Sequence, residues 1–119
     1  MGYRSQVVLA ISKELIPFLL LATSKNKETE ELVFKHGNLE RNYENDKSWL
    51  MVWDSIKWYE GYKEIEAIES FMSHMDCDEA EELGEGVEHY RFVRTGEDYE
   101  DIEQRGYAFD IYPSVGIEY

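Results

Sequence analysis

Residues 3–11, YRSQVVLAI, are rich in β-branched side chains and predict a first strand. Ser12 follows as a helix N-cap, with Glu14 in the first turn. Proline is tolerated only in that turn, so Pro17 places the helix start close to Ser12. Leu15, Phe18, Leu19 and Ala22 then recur at helical spacing. Asn26 is a candidate interruption of its continuation through residues 28–35. Gly37-Asn38 signals a stop and a turn. Residues 49–59, WLMVWDSIKWY, carry three Trp, two β-branched side chains and a Tyr, and predict the strongest strand of the chain. Residues 39–44 are a candidate hairpin partner for it.

Tyr62, Ile65, Ile68, Phe71, Met72 and Met75 follow at spacings of three and four. They form the apolar stripe of an amphipathic helix, whose other face shows Lys63, Glu64, Glu66, Glu69, Ser70 and Ser73. Residues 87–94 alternate and predict a further strand. Residues 95–98, TGED, resemble a capping box and predict a short helical turn to about Gln104. Residues 107–112 predict a last strand, which Pro113 ends or places at an edge. The order is strand, helix, strand or strand pair, helix, strand, strand. It predicts an α+β fold: an antiparallel sheet with two helices packed on one face, of which a ferredoxin-like variant is the favoured topology. The 119 residues suit a single α+β domain over residues 1–119, and no repeat or linker divides them.

Charge changes the picture. The net charge is −14, and it is concentrated. Residues 1–59 hold eight acids and eight bases, whereas residues 60–103 hold sixteen acids and three bases, a net of −13. Such a field repels nucleic-acid phosphates and anionic membranes and attracts cationic surfaces. Direct nucleic-acid binding is therefore not expected. The longest apolar run, residues 15–22, is eight residues, short of the roughly 20 a membrane span needs. No membrane association or secretory signal is expected, and the single cysteine, Cys77, suits a reducing cytoplasm.

Chemistry is sparse. Residues 76–88, DCDEAEELGEGVE, begin like a calcium loop at Asp76 and Asp78, but Glu81 stands where the turn needs Gly. His74 and Cys77 could offer two ligands from one helical turn, yet a structural zinc site wants four. No metal and no cofactor is expected. Cys77 lies among Asp76, Asp78 and Glu79, whose charge disfavours a thiolate nucleophile. No nucleophile, phosphate-loop or HExxH motif is present, and the chain reads as a non-enzyme.

The aromatic residues are the second unusual feature, with nine Tyr and three Trp. Trp49 and Trp53 share strand parity and Trp58 does not, so at least one Trp is expected on the sheet face away from the helices. It either anchors a binding surface there or is covered by a C-terminal segment such as residues 115–119.

The opening Met1-Gly-Tyr-Arg-Ser-Gln-Val7, together with Trp53-Asp-Ser-Ile-Lys-Trp-Tyr59, resembles a group of small uncharacterised proteins encoded by tailed bacteriophages. The resemblance covers about a dozen residues and carries no catalytic motif. It implies a phage or prophage gene expressed in a bacterial cytoplasm. By analogy it implies a protein that binds and inhibits host proteins, among them defence nucleases and transcription machinery.

The expected function is therefore inhibition of a basic host or anti-phage defence protein through an acidic surface with aromatic anchors. The expected contributors are Glu64, Glu66 and Glu69 on the helix, then Asp78, Glu81 and Glu82 in the acidic run. Asp98, Glu100 and Asp101 follow, with Trp53, Trp58 and Tyr59 as anchors. In its sharper form the protein mimics DNA, with carboxylates in place of phosphates. The alternative is a homo-oligomeric assembly protein whose exposed aromatics form a symmetric interface.

Overall fold

The computed structural model describes residues 4–59, 61–76, 89–98, 100–113 and 117–118. The first strand, β1 (Ser5–Ile11), lies in the middle of a five-stranded sheet. Every residue from Val7 to Ile11 is fully buried, which explains why β1 reads as a continuous apolar run rather than an alternation. It pairs antiparallel with β3 (Ser48–Ile56) on one side and β4 (Tyr90–Thr95) on the other. β2 (Asn38–Tyr43) adds outside β3, and β5 (Ile102–Gly106) adds outside β4. The order is β2-β3-β1-β4-β5 with all neighbours antiparallel. Its first four strands have the ferredoxin-like arrangement of two interleaved βαβ units, and β5 extends it.

The first crossover holds two helices rather than one. A 3-10 turn at Lys13–Leu15 leads into α1 (Ile16–Thr23), with Pro17 in its first turn. Asn26 is extended, and its side chain accepts from the Thr29 amide at 2.7 Å. It is thus the N-cap of a separate helix, α2 (Lys27–Phe34). The second crossover is α3 (Lys63–Asp76). Among the described residues three helices pack on one sheet face, so the expected pair becomes a trio on the expected side. Val7, Leu9 and Ile11 meet Met51, Trp53, Tyr90 and Phe92 beneath Leu19, Val33, Ile68 and Met72. The Trp53 indole donates to the Leu32 carbonyl at 2.9 Å and presses on Gly37. A Cβ there would stand 2.7 Å from Trp53 Nε1, so the stop after α2 needs glycine for space.

The opposite face bears a second, smaller core of Val8, Ala10, Leu50, Val52 and Val93. Ile111 and Phe109 cover it. The chain reaches them through Gly106, at φ +78°, where a Cβ would overlap the Tyr90 carbonyl. Arg91 fixes the covering segment. Its Nε donates to the Ile111 carbonyl at 3.1 Å, Nη1 to the Gly106 carbonyl at 3.1 Å, and Nη2 to the Gln104 side chain.

Three expectations are corrected here. The helical turn expected from residue 95 to about Gln104 does not run that far: the Asp101 amide donates to the Asp98 carbonyl at 2.9 Å, but Gly96 bonds back to the Asp101 carbonyl at 2.8 Å, and the chain returns from Ile102 as β5. Cross-strand pairing of Phe92 with Arg105 and of Arg94 with Glu103 overrides the cap-like TGED signal. Residues 107–112 are not a strand. Only Tyr112–Pro113 (β6) pairs, with Ile117–Glu118 (β7), in a two-residue ribbon, and Phe109 sits at φ +64°. No Trp points to the outer face. β3 ends at Ile56, so strand parity no longer governs Trp58. Its ring folds back to the helical side, 5.8 Å from Trp53 and 5.6 Å from Phe92.

Candidate functional site

Antiparallel pairing gathers several element ends in one place. Ser5 at the start of β1 lies beside Ile56 at the end of β3, and Thr95 at the end of β4 lies beside Ile102 at the start of β5. α3 begins shortly after β3, at that same end. Tyr59, Tyr62, Glu64 and Glu66 thus share one end of the sheet with the turn from Glu97 to Asp101. A cavity of about 250 Å3 lies at this end, lined by Ser5, Trp58, Tyr59, Glu69, Arg94, Asp101 and Glu103; Tyr62, Glu64 and Glu66 do not line it.

Arg94 organises the cavity. Its Nη2 and Nη1 meet Asp101 at 2.7 and 3.2 Å, its Nε meets Glu103 Oε1 at 3.3 Å, and Nη1 donates to Ser5 Oγ at 3.1 Å. The bond to Asp101, then that to Glu103, outweighs partial burial and raises the guanidinium pKa further. Glu69 is likewise engaged: Oε1 accepts from Trp58 Nε1 at 2.9 Å and Oε2 from Arg105 at 2.7 Å. This network is a structural corner, where α3 stands over the edge of the sheet.

The expected site residues therefore divide. Glu69 and Asp101 are neutralised by the chain's own arginines, because Arg105 and Arg94 on β5 and β4 share the helical side with them. Trp53 and Trp58 are 3% and 9% exposed, which removes them as surface anchors. Asp78, Glu81 and Glu82 lie outside the described residues. Glu66, Asp98 and Glu100 are exposed, and Glu64 and Tyr59 are half-buried. Asp98 accepts from the Glu100 amide at 3.2 Å, and Glu97 from the Arg4 amide at 3.2 Å.

Tyr62 was missed. It was assigned to the buried stripe of the second long helix, but α3 starts one residue later and leaves Tyr62 40% exposed. Its ring lies 5.4 Å from that of Tyr59, forming an aromatic pair beside the carboxylates of the first turn of α3.

At the opposite end of the sheet, Ser12 does not cap the 3-10 turn with its side chain; its Oγ meets His89 Nδ1 at 3.2 Å. The nearby Glu14 carboxyl is held below its usual range, first by its own amide and then by Ser12. Among the described residues no three His, Cys, Asp or Glu side chains cluster closely enough to hold a metal ion. His74 faces Phe18, with ring centroids 6.4 Å apart, and Cys77 lies outside the described residues. Nor is any described helix long and apolar enough to cross a membrane. Set against known protein families, curated proteins and solved structures, the chain matches none.

Proposed function

We propose that this protein is a non-enzymatic inhibitor that docks on a basic surface of a host or anti-phage defence protein inside the bacterial cell. The observation that carries this reading is the Tyr59–Tyr62 pair set beside solvent-facing carboxylates at one end of the sheet. Glu66 and Glu100 supply exposed charge for encounter, and the exposed Tyr62 ring supplies an anchor of the kind that slows dissociation. Arg94 and Arg105 interrupt the carboxylates around them. The surface is accordingly read as a patch for lysine and arginine side chains rather than a phosphate-like row imitating DNA. The phage resemblance supplies the cellular setting.

The test is affinity capture from bacterial lysate, followed by measurement of the recovered complex. Reversing Glu64→Lys, Glu66→Lys and Glu100→Lys together, with Glu69 kept, is expected to raise Kd by roughly tenfold or more. The wild-type complex is expected to weaken steeply with salt. Retention of the same partner at unchanged affinity by the reversed protein overturns the proposal.

A further inference from the structure

The two faces of the sheet are sealed unequally. On one, helices seat Leu19, Val33, Ile68 and Met72 at full burial. On the other, Val8, Ala10, Leu50, Val52 and Val93 lie under residues 107–111, which form neither helix nor strand. This segment presents Ile111 and Phe109 to the sheet and turns Tyr107 outward, 80% exposed. Tyr112, just beyond, is 56% exposed. Buried apolar area holds a segment down, so a thin cover of this kind is expected to be the least stable unit of the fold.

Its attachments divide at Gly106. Arg91 holds the Gly106 carbonyl through Nη1 and the Gln104 side chain through Nη2, both within β5. Only Nε reaches past the glycine, to the Ile111 carbonyl at 3.1 Å. The Ala108 amide donates to the Tyr90 carbonyl at 3.1 Å, the Phe109 ring lies 5.4 Å from that of Tyr43, and the Tyr112 ring lies 5.9 Å from the Arg91 guanidinium. Lifting the segment therefore leaves Arg91 bonded to β5. Strain favours the same movement. Phe109 sits at φ +64°, which is disfavoured for any residue with a Cβ and rare for a bulky one. At the junction, Gly106 at φ +78° supplies the backbone freedom that a hinge needs. We infer that residues 107–113 are a strap that lifts about Gly106 and uncovers the apolar outer face, while the five-stranded sheet and its helices stay folded. The β7 strand, paired with β6, moves with it.

Thiol labelling of the full chain tests this. Val7 and Val8 are adjacent in β1 and both fully buried, the first beneath the helices and the second beneath the strap. In a Cys77→Ser background, Val8→Cys is expected to react at least roughly tenfold faster than Val7→Cys under native conditions. Its rate should rise only slightly with urea, because lifting the strap exposes little surface. The Val7→Cys rate should instead follow the full slope of global unfolding. Urea unfolding of each variant measures its own global stability, which removes any difference between the substitutions themselves. Arg91→Lys, which loses the bond to Ile111, should speed labelling of Val8→Cys roughly tenfold. Hydrogen exchange needs no substitution: the Ala108 amide should exchange with the shallow urea slope, while the amides of β1 keep the steep one. Equal rates with equal slopes at the two cysteines, or an Ala108 amide that opens only with the whole fold, overturns the inference.

Discussion

Arg91 and Ile111 are joined across the outer face of the sheet, the guanidinium Nε donating to the Ile111 carbonyl at 3.1 Å while the Ile111 side chain is fully buried. Arg91 is itself only 9% exposed, and the bonds described for it go to two carbonyls and a side-chain amide. Arg91→Ala should cost about 2–4 kcal/mol, because a charged donor is lost and buried carbonyls are stranded. Arg91→Lys should recover little, since the three donors of an ammonium leave one nitrogen and cannot span acceptors that the guanidinium reaches from three. Urea unfolding checks both, and a loss below 1 kcal/mol, roughly the surface-residue range, would deny Arg91 this role.

Gly106 and Gly61 offer an internal contrast. Gly106→Ala forces a Cβ into the Tyr90 carbonyl at a left-handed φ of +78° and should destabilise by about 3 kcal/mol or more. Gly61→Ala meets nothing within 4 Å and should stay within about 0.5 kcal/mol of wild type. Thermal or urea midpoints distinguish the two.

Two glutamates one helical turn apart should behave oppositely. Glu69→Gln removes the charge facing Arg105 and should cost about 1–3 kcal/mol of stability. Glu66→Gln should change stability by less than about 0.5 kcal/mol, with its effect confined to partner binding. Denaturation and binding measured on the same two variants separate scaffold from surface.

Gly37 and Trp53 should be coupled. Gly37→Ala alone drives a methyl against the indole, only 2.7 Å from Nε1, and should destabilise by about 1–3 kcal/mol. In a Trp53→Phe background the five-membered ring is gone, and the added penalty should fall by at least about 0.5 kcal/mol. A double-mutant cycle that proves additive would contradict this packing.

Asp46 accepts from the Ser48 amide at 3.0 Å, and the Ser48 hydroxyl followed by that amide holds its carboxyl below the usual range. The folded value lies below the unfolded one. The associated stability is present above the unfolded value and is lost as pH falls through the folded one. Asp46→Asn should therefore be less stable than wild type at neutral pH, and the gap should close below about pH 4. Tyr43 runs the other way. Burial, ahead of Glu44 and Glu40, raises its pKa, so its contribution is present below about pH 10 and is lost above it. Urea midpoints across pH, for wild type and Asp46→Asn, read both signs.

What the sequence disclosed followed from burial on repeating faces. The continuous apolar run of β1, the aromatic run of β3 and the helical stripe from Ile65 to Met75 each mark a buried element, and each forms where expected. β5, IEQRG, carries no such mark, because it is an edge strand with half-exposed residues and owes its existence to β4. The candidate site was legible in outline only. Glu66 and Glu100 can be placed on the surface from local pattern. The engagement of Glu69 by Arg105 cannot, since the two are 36 residues apart and meet only once the sheet forms. Trp58 was misplaced because alternation was extended two residues beyond the end of its strand.

The central position of β1 also governs how the chain must come together. Both neighbours of Val8, Val52 and Val93, are made long after it. The hairpins β2–β3 and β4–β5 can form from adjacent sequence, whereas β1 gains its full complement of bonds only by slotting between them. During synthesis β1 thus leaves the ribosome well before either strand that completes it, and a nascent chain that stops short of β4 exposes one flank of this fully buried run.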